Sequence, residues 1–311
     1  MTSVCFYFQV HQPYRTRRFT YFDSSSEHHY FDDEANRAIT QKVAHKCYMP
    51  ANELMLKLIH RYNGAFKIAY SITGVCIEQL EAYAPDALDS FKRLADTGCV
   101  EFLGETYYHS LAVLYNDREF VEQVQQHTAA IERCFGQTPR VFRNTELIYE
   151  DFIGQRAADL GFRGICAEGA DDVLDWRSPN YLYKVPGRDC ALFLKNYRLS
   201  DDIAFRFSNQ GWEDFPLTAD KYTEWLHRIS GSGQIVNLFM DYETFGEHQW
   251  EHTGIFEFME HLPDLVMRHP DWEFRTPSEI IEHWQPVAEM PFHRLTSWAD
   301  IERDLTAWRG N

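Results

Sequence analysis

The chain has 311 residues, 44% hydrophobic and 15% aromatic, enough to bury a large core as one α/β barrel or as two ordinary domains. Its formal charge of -17 disfavours phosphate-rich ligands, so neither nucleic acid nor an anionic membrane is expected as a partner. No apolar run approaches the roughly 20 residues that span a bilayer. Met1 to Val10 lacks the basic start and cleavage site of a secretory signal. Seven cysteines, an odd number without a C-x-x-C pair, read as buried free thiols (Cys5, Cys99 and Cys166 lie in apolar runs), which places the expected location in the reducing cytoplasm.

Strand-like and helix-like segments alternate along the chain. Val4 to Val10 is an aromatic-rich strand, followed by His11-Gln12-Pro13 and a polar loop from Tyr14 to Asp33. Glu34 to Tyr62 has a helical period, with Leu54, Met55, Leu58 and Ile59 on one face and a break at Pro50. Phe66 to Ile72 is a second strand and Cys99 to Leu103 a third, the latter ended by Gly104-Glu105. Asn116-Asp117 predicts the N-cap of a helix with Phe120, Val124, Ile131 and Phe135 on its inner face. Short strands follow at Pro139 to Phe142, ended by Arg143-Asn144-Thr145-Glu146, and at Arg163 to Ala167, ended by Glu168. Ala191 to Lys195 is a sixth, and Thr218 to Ile229 is helical. Then comes Gln234 to His248, QIVNLFMDYETFGEH, an apolar run broken by Asn237 and stopped at Asp241. Such a run reads as a strand buried on both faces. Trp272 to Arg275 adds one more short strand.

Sustained βα alternation over this length implies a parallel sheet covered by helices, closed or nearly closed into a barrel. In a parallel barrel all strand C-termini open onto one face. His11, Glu105, Glu146, Glu168 and Asp241 would therefore converge there, with Arg143, Asn144 and His248 beside them. Charges at the ends of buried strands are costly unless paired or useful. Two acids on separate strands, Glu146 and Asp241, meet the requirement of glycoside hydrolysis. A metal-dependent barrel enzyme built on His11, Asp241 and His248 stays open beside it.

Four motifs carry a resemblance: HQP at His11 to Pro13, VEFLGETYYHS at Val100 to Ser110, FRNTELIY at Phe142 to Tyr149 and MDYETFGEH at Met240 to His248. They resemble signature regions of glycoside hydrolase family 57, in its α-amylase-like branch, and SWADIERDLTAW at Ser297 to Trp308 matches a fifth. The resemblance implies an incomplete (β/α)7 parallel barrel over residues 1–285, with residues 286–311 starting a C-terminal helical region that is cut short. It implies a retaining, metal-independent and cofactor-free attack on an α-glucan or maltooligosaccharide, with Glu146 as nucleophile and Asp241 as general acid/base. Residues expected to contact substrate are His11 and Gln12 of the first motif, Glu105 and His109 of the second, and Arg143 and Asn144 of the third. Phe245 and His248 of the fourth and Trp298 and Asp300 of the fifth complete them. Hydrolysis, 4-α-glucanotransfer, branching, and glucan binding without turnover all stay open, as does a homo-oligomer. Retention requires carboxyl groups about 5–5.5 Å apart.

Overall fold

The computed structural model describes residues 1–20 and 28–309, so residues 21–27 of the expected loop from Tyr14 to Asp33 lie outside the described residues. One sheet holds β1 (Thr2–Val10), β2 (Ile68–Ile72), β3 (Val100–Phe102), β4 (Val141–Arg143), β5 (Gly164–Glu168), β6 (Tyr183–Lys184), β7 (Ala191–Lys195), β8 (Ile235–Asp241) and β9 (Trp272–Phe274). Seven of these run in the order β3-β2-β1-β8-β7-β5-β4, every neighbouring pair parallel. β9 adds in parallel to the start of β1, and β6, which has no clear signal in the sequence, pairs antiparallel with β7.

The two ends of that path meet. Gly104, just past β3, donates to the Val141 carbonyl (2.9 Å) and accepts from the Arg143 N–H (2.8 Å). A Cβ at Gly104 would meet the Phe162 ring 2.6 Å away, so a side chain here would hold the ends apart. The opposite seam is thin, because β7 and β8 share one registered pair, Lys195 with Asn237. Asn237, the polar break in the apolar run, is fully buried, and its Nδ2 donates to the Leu194 carbonyl at 3.0 Å. The interruption is thus a side-chain stitch that replaces missing ladder bonds.

The helices pack outside. Asn116 caps Asp117–Phe135 by accepting from the Glu119 N–H, and Phe120, Val124, Ile131 and Phe135 are its buried face. The expected break at Pro50 is different in kind. A π-helical turn, Ala44–Tyr48, joins helix Asp33–Val43 to helix Met49–Arg61, and Pro50 sits in that helix's first turn, where its missing N–H costs little. After helix Pro277–His283 the chain returns over the barrel. Thr296 pairs with Tyr149, and the one helix past residue 286 among the described residues is Thr306–Arg309.

Strand alternation sorts the core. Val4, Phe6 and Phe8 of β1, with Val236, Leu238 and Met240 of β8, belong to the cluster under the helices. Cys5 and Tyr7, Ala69, Leu103, Val141, Cys166, Phe193 and Phe239 form a separate cluster that fills the barrel.

Candidate active site

Two residues along each strand from that apolar filling, the period-two alternation continues inward with polar side chains. The sequence supplies Gln9 and then His11 after Tyr7, Ser71 after Ala69, and Glu105 after Leu103. It supplies Arg143 after Val141, Glu168 after Cys166, Lys195 after Phe193 and Asp241 after Phe239. One polar storey thus caps an apolar one, at the C-terminal mouth.

Glu146 sits in the turn after β4, with φ 54° and ψ 27°, and Leu147 beside it has φ 52°. Left-handed backbone on two successive non-glycine residues is strained, and such strain gathers where a side chain must be aimed. The segment 296–303 holds this turn. The Ser297 hydroxyl and Trp298 N–H donate to the Glu146 carbonyl, at 2.9 and 3.2 Å. The Trp298 indole N–H donates to Glu146 Oε2 at 2.8 Å, and His109 Nε2 lies 2.8 Å from Oε1. His109, itself at φ 54°, stands 3.5 Å by its Nδ1 from Glu105 Oε2 and stacks on His11 with centroids 4.2 Å apart. Burial works against ionising Glu146, but the His109 hydrogen bond, the Arg143 charge and the Trp298 N–H outweigh it and bring the carboxyl down to about 2. Burial likewise disfavours charge on His109, and its bonds to Glu105 and Glu146 more than restore it, so the imidazole is raised. His11 goes the other way, to about 3, through burial and the His109 charge. It stays neutral against the Thr73 hydroxyl at 2.9 Å.

Asp241 contrasts with Glu146. No side-chain hydrogen bond among the described residues reaches its carboxyl. Burial and the Glu146 charge raise it, against Arg143, His248 and His109. Glu243, two residues on, is buried beneath the loop, accepting from the Tyr48 hydroxyl and from Gln12 Nε2 (3.2 Å). Burial and the Asp241 charge raise Glu243 to about 7. Arg143 is fully buried, its guanidinium 4.9 Å from the Phe239 ring centroid, and all three of its nitrogens lack a hydrogen-bond partner among the described residues.

The expected convergence of five strand-end groups divides. His11, Glu105, Glu146 and Asp241 gather around His109 and Arg143, each felt electrostatically by others of the group. Glu168 belongs to a second cluster. Its Oε2 lies 3.1 Å from Arg303 and 3.6 Å from Lys195, while Asp201 lies 3.0 and 3.2 Å from the same cations. This cluster fastens segment 296–303 from below, and Lys195 Nζ sits 4.7 Å from the Trp298 ring centroid. Removing one partner of a buried set like this typically costs about 3–5 kcal/mol.

The remaining expected contacts fall elsewhere. Phe245 is fully buried with its ring edge on Phe8. Asn144 donates to the Ile148 carbonyl at 2.9 Å and braces the Glu146 turn. Asp300 accepts from the Asp304 and Ala307 N–H groups, at 3.3 and 2.9 Å. His248 is exposed at the rim. Among the described residues no group of His, Cys, Asp and Glu is gathered as a metal-ligand set, His11, Asp241 and His248 included. Sequence reasoning missed Gln9, Ser71, Lys195 and Arg303, and it also missed Phe205, whose ring stacks toward Trp298. The first three carried a signal, their inward parity above an apolar strand residue. Cavities of about 570 Å³ (beside Phe258) and 560 Å³ (beside Trp250) are lined by none of the mouth carboxylates.

The model of glycosyl hydrolase family 57 matches residues 5–293. The chain belongs to this family. A Methanocaldococcus jannaschii protein provisionally named as an α-amylase is 47% identical over 312 residues, covering 99% of this chain and 66% of the relative. Alpha-amylase 1 of Dictyoglomus thermophilum is 22% identical over 63% of this chain and 30% of its own. The family 57 chain here therefore spans less than two thirds of these relatives. Among solved structures, the 4-alpha-glucanotransferase of Thermococcus litoralis superposes with a TM-score of 0.73 at 16% identity, covering 96% of this chain and 42% of that one. A family 57 branching enzyme of Pyrococcus horikoshii gives 0.71 at 15%, covering 99% and 75%. These likenesses show the fold, a parallel (β/α)7-type barrel.

Proposed function

We propose that the chain is a retaining, α-glucan-acting glycoside hydrolase that cleaves α-1,4-glucosidic bonds through Glu146 and Asp241. The observation that carries the reading is the opposed state of these two carboxyls at one barrel mouth. Glu146 is gripped on both oxygens and held ionised, while Asp241 meets no side-chain donor among the described residues and is pushed toward its protonated form. Pairs driven apart in this way mark the nucleophile and the acid. Asp241 gives its proton to the glycosidic oxygen as Glu146 attacks the anomeric carbon. Asp241, now ionised, takes a proton from water, and the oxygen displaces Glu146 with net retention. Transfer to a sugar hydroxyl is the same second step with a different acceptor. The relatives' names support α-glucan as substrate, and the seven free cysteines support a reducing compartment such as the cytoplasm.

A reducing-end assay on soluble starch and maltooligosaccharides tests this. New reducing ends are expected from the wild type and at most about one hundredth of that rate from Glu146→Ala. Binding of maltoheptaose without any turnover or transfer would instead make the chain a glucan-binding barrel.

A further inference from the structure

Phe205 lies in a π-helical turn, Asp202–Arg206, that continues helix Tyr197–Asp201. Such turns are rare and often occur at functional sites. The turn is fixed. Ile203 and Ala204 are buried, Asp202 pairs with Arg206 at 2.6 Å, and the Ala204 carbonyl accepts from Gln249 Nε2 at 2.9 Å. Gln249 belongs to the loop that begins at Asp241, so the turn is tied to the acid's own loop. The ring it presents is 60% exposed. It runs nearly parallel to Trp298, 28° between planes and 6.3 Å between centroids. Trp298 in turn holds Glu146 Oε2. Other exposed aromatics have different neighbours. Trp250 is covered by the Lys46 ammonium at 4.2 Å, and Trp176 faces Arg177 at 5.1 Å.

We propose that Phe205, with Trp298, forms the aromatic wall of a glucosyl subsite beside Glu146 and so determines affinity for longer α-glucans. The inference rests on the reading that this mouth receives α-glucan. A pyranose ring has an apolar C–H face and an equatorial rim of hydroxyls. A benzene ring on a rigid turn covers that face and removes both apolar surfaces from water. Phe205 has no polar atom, so it holds the sugar by its face and leaves the rim to the charged residues of the mouth. Its position one side chain away from the nucleophile puts the covered sugar next to the scissile unit.

The test is equilibrium binding of maltoheptaose, by calorimetry, to the full chain carrying Asp241→Asn, which leaves the Trp298–Glu146 bond in place. Adding Phe205→Ala should weaken binding about five- to tenfold, and Phe205→Trp should restore it to within about twofold. An exposed ring is not a folding determinant, so thermal melts should stay superimposable. Binding unchanged by Phe205→Ala, equal weakening by Phe205→Ala and Phe205→Trp, or no binding by the parent protein would each overturn the proposal. Turnover is scored separately on the chain with Asp241 intact. If it binds maltoheptaose through Phe205 but leaves bonds uncut, the hydrolytic reading fails and the subsite stands. If it cuts maltoheptaose and Phe205→Ala binds normally, the subsite fails alone.

Discussion

The indole N–H of Trp298 donates to Glu146 Oε2 at 2.8 Å across a separation of 152 residues. The same segment supplies two further hydrogen bonds to the Glu146 carbonyl, so the last described stretch of the chain holds a strained turn in the middle of it. Trp298→Phe keeps the ring and removes one donor to the carboxylate. The Glu146 carboxyl, held at about 2, should rise toward its ordinary 4.5. Since the nucleophile works ionised, the acid limb of kcat/KM should move to higher pH by roughly 0.5–1 unit. An acid limb that stays in place would show that Trp298 does not tune Glu146.

Arg143 offers a sharper electrostatic test. Its charge lowers both Glu146 and Asp241, and its nitrogens make no hydrogen bond among the described residues. Arg143→Met should therefore raise both carboxyls. Loss of activity on the acid side, where Glu146 gains a proton, shifts to higher pH. Loss on the basic side, where Asp241 gives one up, shifts the same way. The bell should translate upward rather than narrow or widen. Arg143 is also the buried counter-charge of Glu105 and Glu146, so its loss leaves those carboxylates uncompensated and the variant should melt below the wild type. A profile that moves on one side only would contradict the shared placement of Arg143.

These tests turn on residues of unequal visibility in the sequence. The barrel was legible because Ile235, Val236, Leu238, Phe239 and Met240, a short apolar run after the Gly231-Ser232-Gly233 turn, read as a strand buried on both faces, and because such strands recur between helical periods. Glu105, Glu146 and Asp241 were legible because each ends such a strand. Lys195 ends a strand too, but a lysine there looks like an ordinary solvated terminus until Glu168, Asp201 and Arg303 arrive from elsewhere in the chain. Phe205 was hidden by its π-helical turn, whose period matches neither helix nor strand. Phe245 misled because an aromatic beside a catalytic motif resembles a sugar platform, whereas Phe8 and Tyr242 take its ring into the core.

Glu243 ties stability to pH. Burial, the larger cause, raises it from 4.5 to about 7, with the Asp241 charge adding to this only where Asp241 is ionised. Between those values the folded chain keeps a proton that the unfolded chain releases, so this group's contribution falls as pH rises from 4.5 through 7. Glu243→Gln can still accept from Tyr48 and has nothing to ionise. It should match the wild type near pH 4 and exceed it at pH 8, by at most about 3 kcal/mol. Denaturant unfolding at the two pH values measures this. An equal difference at both would mean that Glu243 ionises normally in the folded chain.

The two catalytic roles separate by chemical rescue. Glu146→Ala removes the nucleophile, so no glycosyl-enzyme can form with any leaving group. Asp241→Ala removes the proton donor, a loss that depends on how badly the leaving group needs the proton. An activated aryl α-glucoside departs without much protonation, so its first step should suffer far less than that of a maltooligosaccharide. Its glycosyl-enzyme then waits for a base-activated acceptor. Azide needs no base, attacks the anomeric carbon and releases the Glu146 carboxylate, giving an α-glucosyl azide after two inversions. In Glu146→Ala, azide entering the vacated space displaces the leaving group once, with Asp241 supplying the proton, and the product is the β-azide. Proton NMR of the anomeric signal distinguishes the two. Opposite anomers from the two variants, each with at least a roughly hundredfold loss on unactivated glucan, are the expected outcome. The same anomer from both, or a smaller loss in either, would take the roles away from Glu146 and Asp241 and return the search to Glu105, Glu168 and Glu243.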